Sequence, residues 1–185
     1  MDSYYTREEL MNIGFASVGE NVLLSRKASI YGAEKMHIGS NVRIDDFCFL
    51  SGKIILCNYI QITTASMIYG GTEGVVMGDF STLGPRVVIH ADSDDYTGLG
   101  MTNSMVPEKY RFVTRKPVKL CKHVIIGTGC VILPGVTIGE GTSIGAMSFI
   151  KKSLGPWMMY AGNPCKPIKP RSKQILELEK QMQEY

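Results

Sequence analysis

Aliphatic residues recur at every sixth position over long stretches of this chain. That period belongs neither to a strand, whose side chains alternate, nor to an α-helix with its repeat of about 3.6 residues. It suits a parallel β-helix, in which short repeats stack as flat-faced coils and each buries its face only against its neighbours. The cleanest run has Leu120, Ile126, Ile132, Ile138, Ile144 and Ile150 in phase. An earlier run passes through Val18, Leu24 and Ile30, takes a longer step to Ile38, and continues through Ile44, Leu50, Leu56, Ile62 and Ile68. A slip at Gly70, Gly71 and Gly74 precedes Met77, Leu83 and Ile89. Four places after most of these aliphatics stands a small or β-branched residue (Val42, Ser81, Val124, Cys130, Thr142), which suits a pleated, half-buried surface. At the usual strand separation some six coils would form a prism roughly 25 to 30 Å tall.

The period fails once at length, between His90 and Leu120. Long excursions are uncommon in compact domains and are often functional. This one is acidic at its start (Asp92, Asp94, Asp95) and basic towards its end (Lys109, Arg111, Arg115, Lys116, Lys119). The expected organisation is one domain, 1–185: an N-terminal helical cap 1–16, a β-helix 17–155 with loop 91–119, and a C-terminal extension and helix 156–185. Thr6 and Glu9 have capping-box spacing, with Gly14 as a stop. In the last helix Ile175, Leu176, Leu178 and Met182 share one face, which suits a cap or a subunit contact. Pro156, Pro164, Pro167 and Pro170 mark an extended exit that cannot run as a central strand.

Composition excludes more than it assigns. A net charge of +3 without a basic block gives no reason to expect nucleic acid as a partner. No apolar run is long enough for membrane insertion, and the N-terminus lacks a signal-peptide pattern, so a cytoplasmic location is expected. The five cysteines lack zinc-site spacing and read as reduced structural thiols.

The hexads, the break after His90 and the tail YAGNPCKPIKPR together resemble the hexapeptide-repeat acyltransferases, above all bacterial enzymes that acetylate sugars of surface polysaccharides, such as lipopolysaccharide. The stretch SDDYTG…VPEKY looks like the loop of that group. The resemblance implies an all-β fold, a left-handed parallel β-helix, and a homotrimer with acetyl-CoA in the groove between subunits. The activity it implies is acetyl transfer to a hydroxyl or amino group of a sugar or nucleotide-sugar acceptor, with no metal.

Such a transfer needs a base that works near neutral pH, and histidine has the suitable pKa. The chain offers His37, His90 and His123. His90 matches the family's catalytic histidine and is the expected general base. His123, inside a hexad, is a secondary candidate with a structural role as the favoured reading, and His37 reads as an ordinary surface residue. Asp94, Asp95 and Tyr96 are placed to meet an acceptor sugar, as is Glu73 if the Gly-rich slip lies on the side of the loop. Each could equally be a solvated turn residue. Thr128 and Ala146 occupy the family's pantetheine-contacting places, and Lys151, Lys152, Lys166 and Lys169 match positions near the coenzyme phosphates. Lysine supplies a point charge where arginine would supply a fork.

Two other readings compete. A carbonic-anhydrase-like zinc site would need closely spaced histidines, which the chain lacks. A non-catalytic solenoid would leave His90, the small groove residues and the basic tail without a purpose.

Overall fold

The computed structural model describes residues 3–184. Three parallel sheets enclose one apolar core, and the chain visits them in rotation. The first face stacks Ser17–Val18, Met36–Ile38, Ile54–Leu56, Val75–Met77, Val118–Leu120 and Thr137–Ile138. The second begins with Val22–Leu24 and ends with Ser143–Ile144, Met158–Ala161 and an antiparallel edge strand, Lys166–Pro170. The third runs from Ser29–Tyr31 through Phe49–Ser51, Met67–Tyr69, Val88–His90 and Val131–Ile132 to Phe149–Ile150. Pro167 and Pro170 therefore sit where a missing N–H leaves no central ladder broken.

The hexad aliphatics point inward. Leu50, Ile62, Ile68, Met77, Leu83, Ile89, Leu120, Ile126, Ile132 and Ile150 have no exposed surface. Removing such side chains from water is the main stabilisation, about 1.5–3 kcal/mol for each fully buried one. Register follows from it, because a one-residue slip would turn the aliphatic set outward.

The turns between faces use left-handed backbone at residues that seldom adopt it. Between the first and second faces Tyr59, Phe80, His123 and Trp157 all have φ between 55° and 59°. Each such residue costs on the order of 1 kcal/mol or more. Here the conformation is enforced by a ladder: Tyr59 N–H donates to Ser40 O (3.0 Å), Phe80 N–H to Asn58 O (3.0 Å), His123 N–H to Asp79 O (2.9 Å) and Trp157 N–H to Glu140 O (2.8 Å).

The corner between the third and first faces collects every irregularity in the hexad period. The long step before Ile38 is the short 3-10 turn Ala33–Lys35, and the Gly-rich slip is a bulge at residues 70–74. The long excursion leaves the same corner one coil later. It contains its own hairpin, Asp92–Ser93 against Thr114–Arg115, and a 3-10 turn Glu108–Tyr110. Regular structure resumes at Val118 rather than Leu120, because Val118 pairs with Val75 and is buried.

Helix α1 (Arg7–Asn12) has the expected capping box: Thr6 Oγ1 accepts from Glu9 N–H (3.3 Å) and Thr6 N–H donates to Glu9 Oε2 (2.8 Å). Helix α2 (Gln174–Glu184) lies against the corner that carries His123. Among the described residues no helix is long and apolar enough to cross a membrane.

Candidate active site

His90 closes the strand Val88–His90, one residue after the buried Ile89, so its side chain faces outward at the root of the excursion. Its imidazole lies flat on Tyr69 of the preceding coil, with ring centroids 4.8 Å apart and planes 2° from parallel. Tyr69 in turn packs on Phe49, and Phe49 on Tyr31, giving a column of rings along the third face. Burial pushes the His90 pKa below its ordinary value, and the nearby Asp92 opposes that shift. The ring is therefore neutral at neutral pH and able to accept a proton.

A cleft of about 740 Å³ opens beside it. Its apolar wall is Val131, Leu133 and Phe149 from the outer side of the next two coils, with Val113 from the loop. The opposite wall is polar and comes from the loop: Asp92, Ser93, Asp94, Tyr96 and Arg111. Asp94 Oδ2 accepts from the Asn103 N–H (3.3 Å), while Oδ1 lies 3.4 Å from Arg111 Nη2. Arg111 is mostly buried, and its Nε has no partner among the described residues. A neutral imidazole and a carboxylate thus face one space of substrate size.

The acidic run is divided by this arrangement. Asp94 faces the cleft, and Tyr96 stands at its rim, 95% exposed. Asp95 turns away and organises the loop: Oδ1 accepts from the N–H (2.9 Å) and hydroxyl (2.7 Å) of Thr97, and Oδ2 accepts from Gly100 N–H (3.0 Å). Those bonds hold its pKa down to about 2. Asp95, an expected acceptor contact, is instead a turn residue with its oxygens already engaged. Glu73 sits exposed in the bulge at 70–74, on the same corner as the loop but outside the residues that line the cleft.

His123 is held elsewhere. It is 7% exposed, stacks on Phe80 at 5.1 Å and places Nε2 2.7 Å from Glu179 Oε2 of helix α2. Lys122 binds the same carboxylate and is the larger cause of its lowered pKa, ahead of His123. His123 shares no lining residue with the cleft at His90, so the secondary catalytic candidate is a rung of the corner ladder.

Thr128 and Ala146 lie one above the other at the corner between the second and third faces, Met147 N–H donating to Thr128 O at 2.8 Å. They border a groove of about 360 Å³ whose floor includes Gly84, Gly127 and Gly145 and whose rim is Met159, Tyr160 and Ile168. A Cβ at Gly127 would lie 2.6 Å from the Ala146 nitrogen, so the coils touch only where side chains are minimal. Lys151, Lys152 and Lys166 meet around a separate recess of about 240 Å³ with Phe149, which it shares with the His90 cleft. Lys169 is not among them; it pairs with Met159 in the edge hairpin. Arg171, part of the same basic stretch, donates from Nη1 to the carbonyls of His123 (2.8 Å) and Gly141 (3.1 Å), so its charge is used by the fold.

Four cleft residues carry no signal in the sequence. Val131, Leu133 and Phe149 occupy outward positions of the hexads, where no period constrains the residue type. Arg111 was one of several loop cations, and only the fold singles it out.

Comparisons with known proteins agree with this layout. Residues 117–152 match the family described as bacterial transferase hexapeptide (six repeats). The dTDP-4-amino-4,6-dideoxy-D-glucose acyltransferase of Escherichia coli is 43% identical over 180 residues, covering 96% of this chain and 93% of that one. The galactoside O-acetyltransferase of Escherichia coli K12 is 29% identical over 163 residues, 88% of this chain and 68% of that one. A crystal structure of a point variant of AntD, an N-acyltransferase from Bacillus cereus, in complex with dTDP-4-amino-4,6-dideoxyglucose and coenzyme A, superposes with a TM-score of 0.97. It is 46% identical and covers 100% of this chain and 98% of that one. Another AntD structure holds dTDP and 3-hydroxybutyryl-CoA, with the same TM-score and identity. By its repeats, its stacked coils and a relative 43% identical along nearly its whole length, this chain belongs to the hexapeptide-repeat acyltransferase family.

Proposed function

We propose that this protein is an N-acyltransferase that moves an acetyl or other short acyl group from acyl-CoA to the C4 amine of a dTDP-linked 4-amino-4,6-dideoxyhexose. The observation that carries the reading is one cleft presenting the neutral imidazole of His90 and the carboxylate of Asp94 together. An amino sugar arrives largely as an ammonium, which a carboxylate attracts but which cannot attack a thioester until it loses a proton. In this mechanism Asp94 holds the ammonium, and His90 takes its proton. The nitrogen forms its bond to the thioester carbonyl carbon, the carbon–sulfur bond breaks, and the proton on His90 passes to the departing thiolate. The apolar wall of Val131, Leu133 and Phe149 takes the acyl chain. A plain hydroxyl acceptor would give the carboxylate no positive charge to bind, which is why N-acylation is favoured over O-acylation.

Thr128 and Ala146 border the groove for the pantetheine arm, and Lys151, Lys152 and Lys166 supply positive charge for the coenzyme phosphates. Association into a homotrimer is part of the same reading. The loop carries Leu99 (82% exposed) and Met105 (87% exposed), and helix α2 leaves Leu178 half exposed, apolar surface that suits a neighbouring subunit.

The test is incubation of the purified protein with dTDP-4-amino-4,6-dideoxyglucose and acetyl-CoA or 3-hydroxybutyryl-CoA, with mass spectrometry of the sugar. The expected product carries one acyl group that resists hydroxylamine, as an amide does. An ester product, or CoA release without sugar modification, refutes the proposal.

A further inference from the structure

A second recess lies on the corner that carries the excursion, towards the N-terminal end of the prism from His90. It has a volume of about 380 Å³ and is lined by Lys35, His37, Lys53, Ile55, Gly71 and Thr72. Its cations are lightly engaged. Lys35 has one loose pairing, 4.0 Å from Glu34, and Lys53 has no ion-pair partner among the described residues. His37 commits Nδ1 to Ser17 Oγ (2.9 Å), which leaves Nε2 for a ligand. Gly71 is the partition between this recess and the His90 cleft. It lines the recess, and a Cβ at that position would stand 3.1 Å from a carboxylate oxygen of Asp92, which lines the cleft.

We propose that this recess binds the diphosphate of the nucleotide-sugar acceptor, an inference that rests on the function proposed above. Direct acyl transfer needs both substrates bound at once, and each is an extended molecule with phosphates at a distance from its reacting atom. The donor's cluster, Lys151, Lys152 and Lys166, follows the last coil of the prism, on the C-terminal side of His90. The acceptor must then leave the meeting point in the other direction. From ordinary bond lengths, the two phosphorus atoms of a sugar nucleotide lie roughly 7 and 10 Å from the C4 nitrogen. Lys53 follows Ser51, which is two strands from His90 on the third face, a step of about 10 Å along the prism axis. Lys35 is one strand further. Mobile ammonium groups at that range match a flexible diphosphate, where a rigid fork would not be required.

Calorimetric titration of dTDP and, separately, of CoA into wild type, the Lys35→Ala/Lys53→Ala double variant and Lys53→Arg tests this, with melting temperature as the check on folding. The double variant is expected to bind dTDP roughly 10- to 100-fold more weakly, the usual worth of one or two charge-assisted hydrogen bonds. CoA affinity and melting temperature should hold, and Lys53→Arg should stay within about threefold of wild type. Equal dTDP affinity in wild type and double variant overturns the assignment. Loss of CoA affinity with dTDP binding intact overturns it too, because the recess then serves the donor. A wild type that neither binds dTDP nor acylates the dTDP-linked amino sugar overturns the acceptor reading itself, and this subsite with it.

Discussion

The imidazole of His90 rests face to face on the phenol ring of Tyr69, 4.8 Å away and 2° from parallel. One coil of the prism thus sets the orientation of the proposed base on the next, and the same contact keeps water from one face of the ring. Removing that cover should let the pKa rise towards the ordinary histidine value, about 6.5. Tyr69→Leu is therefore expected to shift the acidic limb of the kcat/KM profile to higher pH, while Tyr69→Phe, which preserves the stack, leaves it in place. An unmoved limb in Tyr69→Leu would show that the stack does not tune His90.

His90 acts in its neutral form, so activity should be flat at neutral pH and fall as pH drops through a pKa below the ordinary histidine value. Stability follows the same sign. A histidine whose folded pKa is depressed contributes stability that is present above the unfolded value and lost as pH falls through both. His90→Gln is expected to lower turnover about 10²- to 10⁴-fold with CoA affinity nearly unchanged, measured by single-turnover assay and calorimetry. Full activity in the variant would remove His90 from the mechanism.

Neighbouring acids should behave differently because they are bonded differently. Asp94→Asn removes the charge facing the cleft and should raise KM for the amino sugar at least about tenfold, the usual worth of a charge-assisted contact. Asp95→Ala instead releases the Thr97 and Gly100 N–H groups. Its expected signature is faster proteolysis within the excursion, with a cooperative solenoid melt near that of wild type. Equal effects of the two variants on KM would contradict this division.

His123→Asn keeps a residue that tolerates left-handed backbone and is expected to leave turnover within about threefold, since only the tie to Glu179 is lost. Gly141→Ala should be far worse. Its φ is +64°, and the added Cβ would meet the Trp157 indole of the next turn in the ladder. We expect a loss of about 2–4 kcal/mol, read by chemical denaturation.

The prism was legible because its core rule is strict. Every sixth side chain enters one packed interior, so Ile62 or Ile126 could hardly be anything but aliphatic. The site was legible only where it broke that rule, at His90 and the acidic run. What lay hidden depends on stacking that a linear period does not display. The turn at Ala33–Lys35, the bulge at 70–74 and the excursion share one corner, which brings Lys35, Lys53 and His90 to the same edge of the prism. Asp94 and Asp95 differ only in which way the loop turns them, and Lys166 and Lys169 only in which side of the edge hairpin they occupy.

The most direct test of the central claim is the ratio of kcat/KM for dTDP-4-amino-4,6-dideoxyglucose to that for the same dTDP-sugar bearing a 4-hydroxyl, with one acyl-CoA and wild-type protein. A site whose carboxylate and neutral imidazole are built for an ammonium should favour the amine by about 10³-fold or more, as buried polar groups reject an analogue that cannot match them. Comparable values for the two sugars, or a preference for the hydroxyl, would contradict the account.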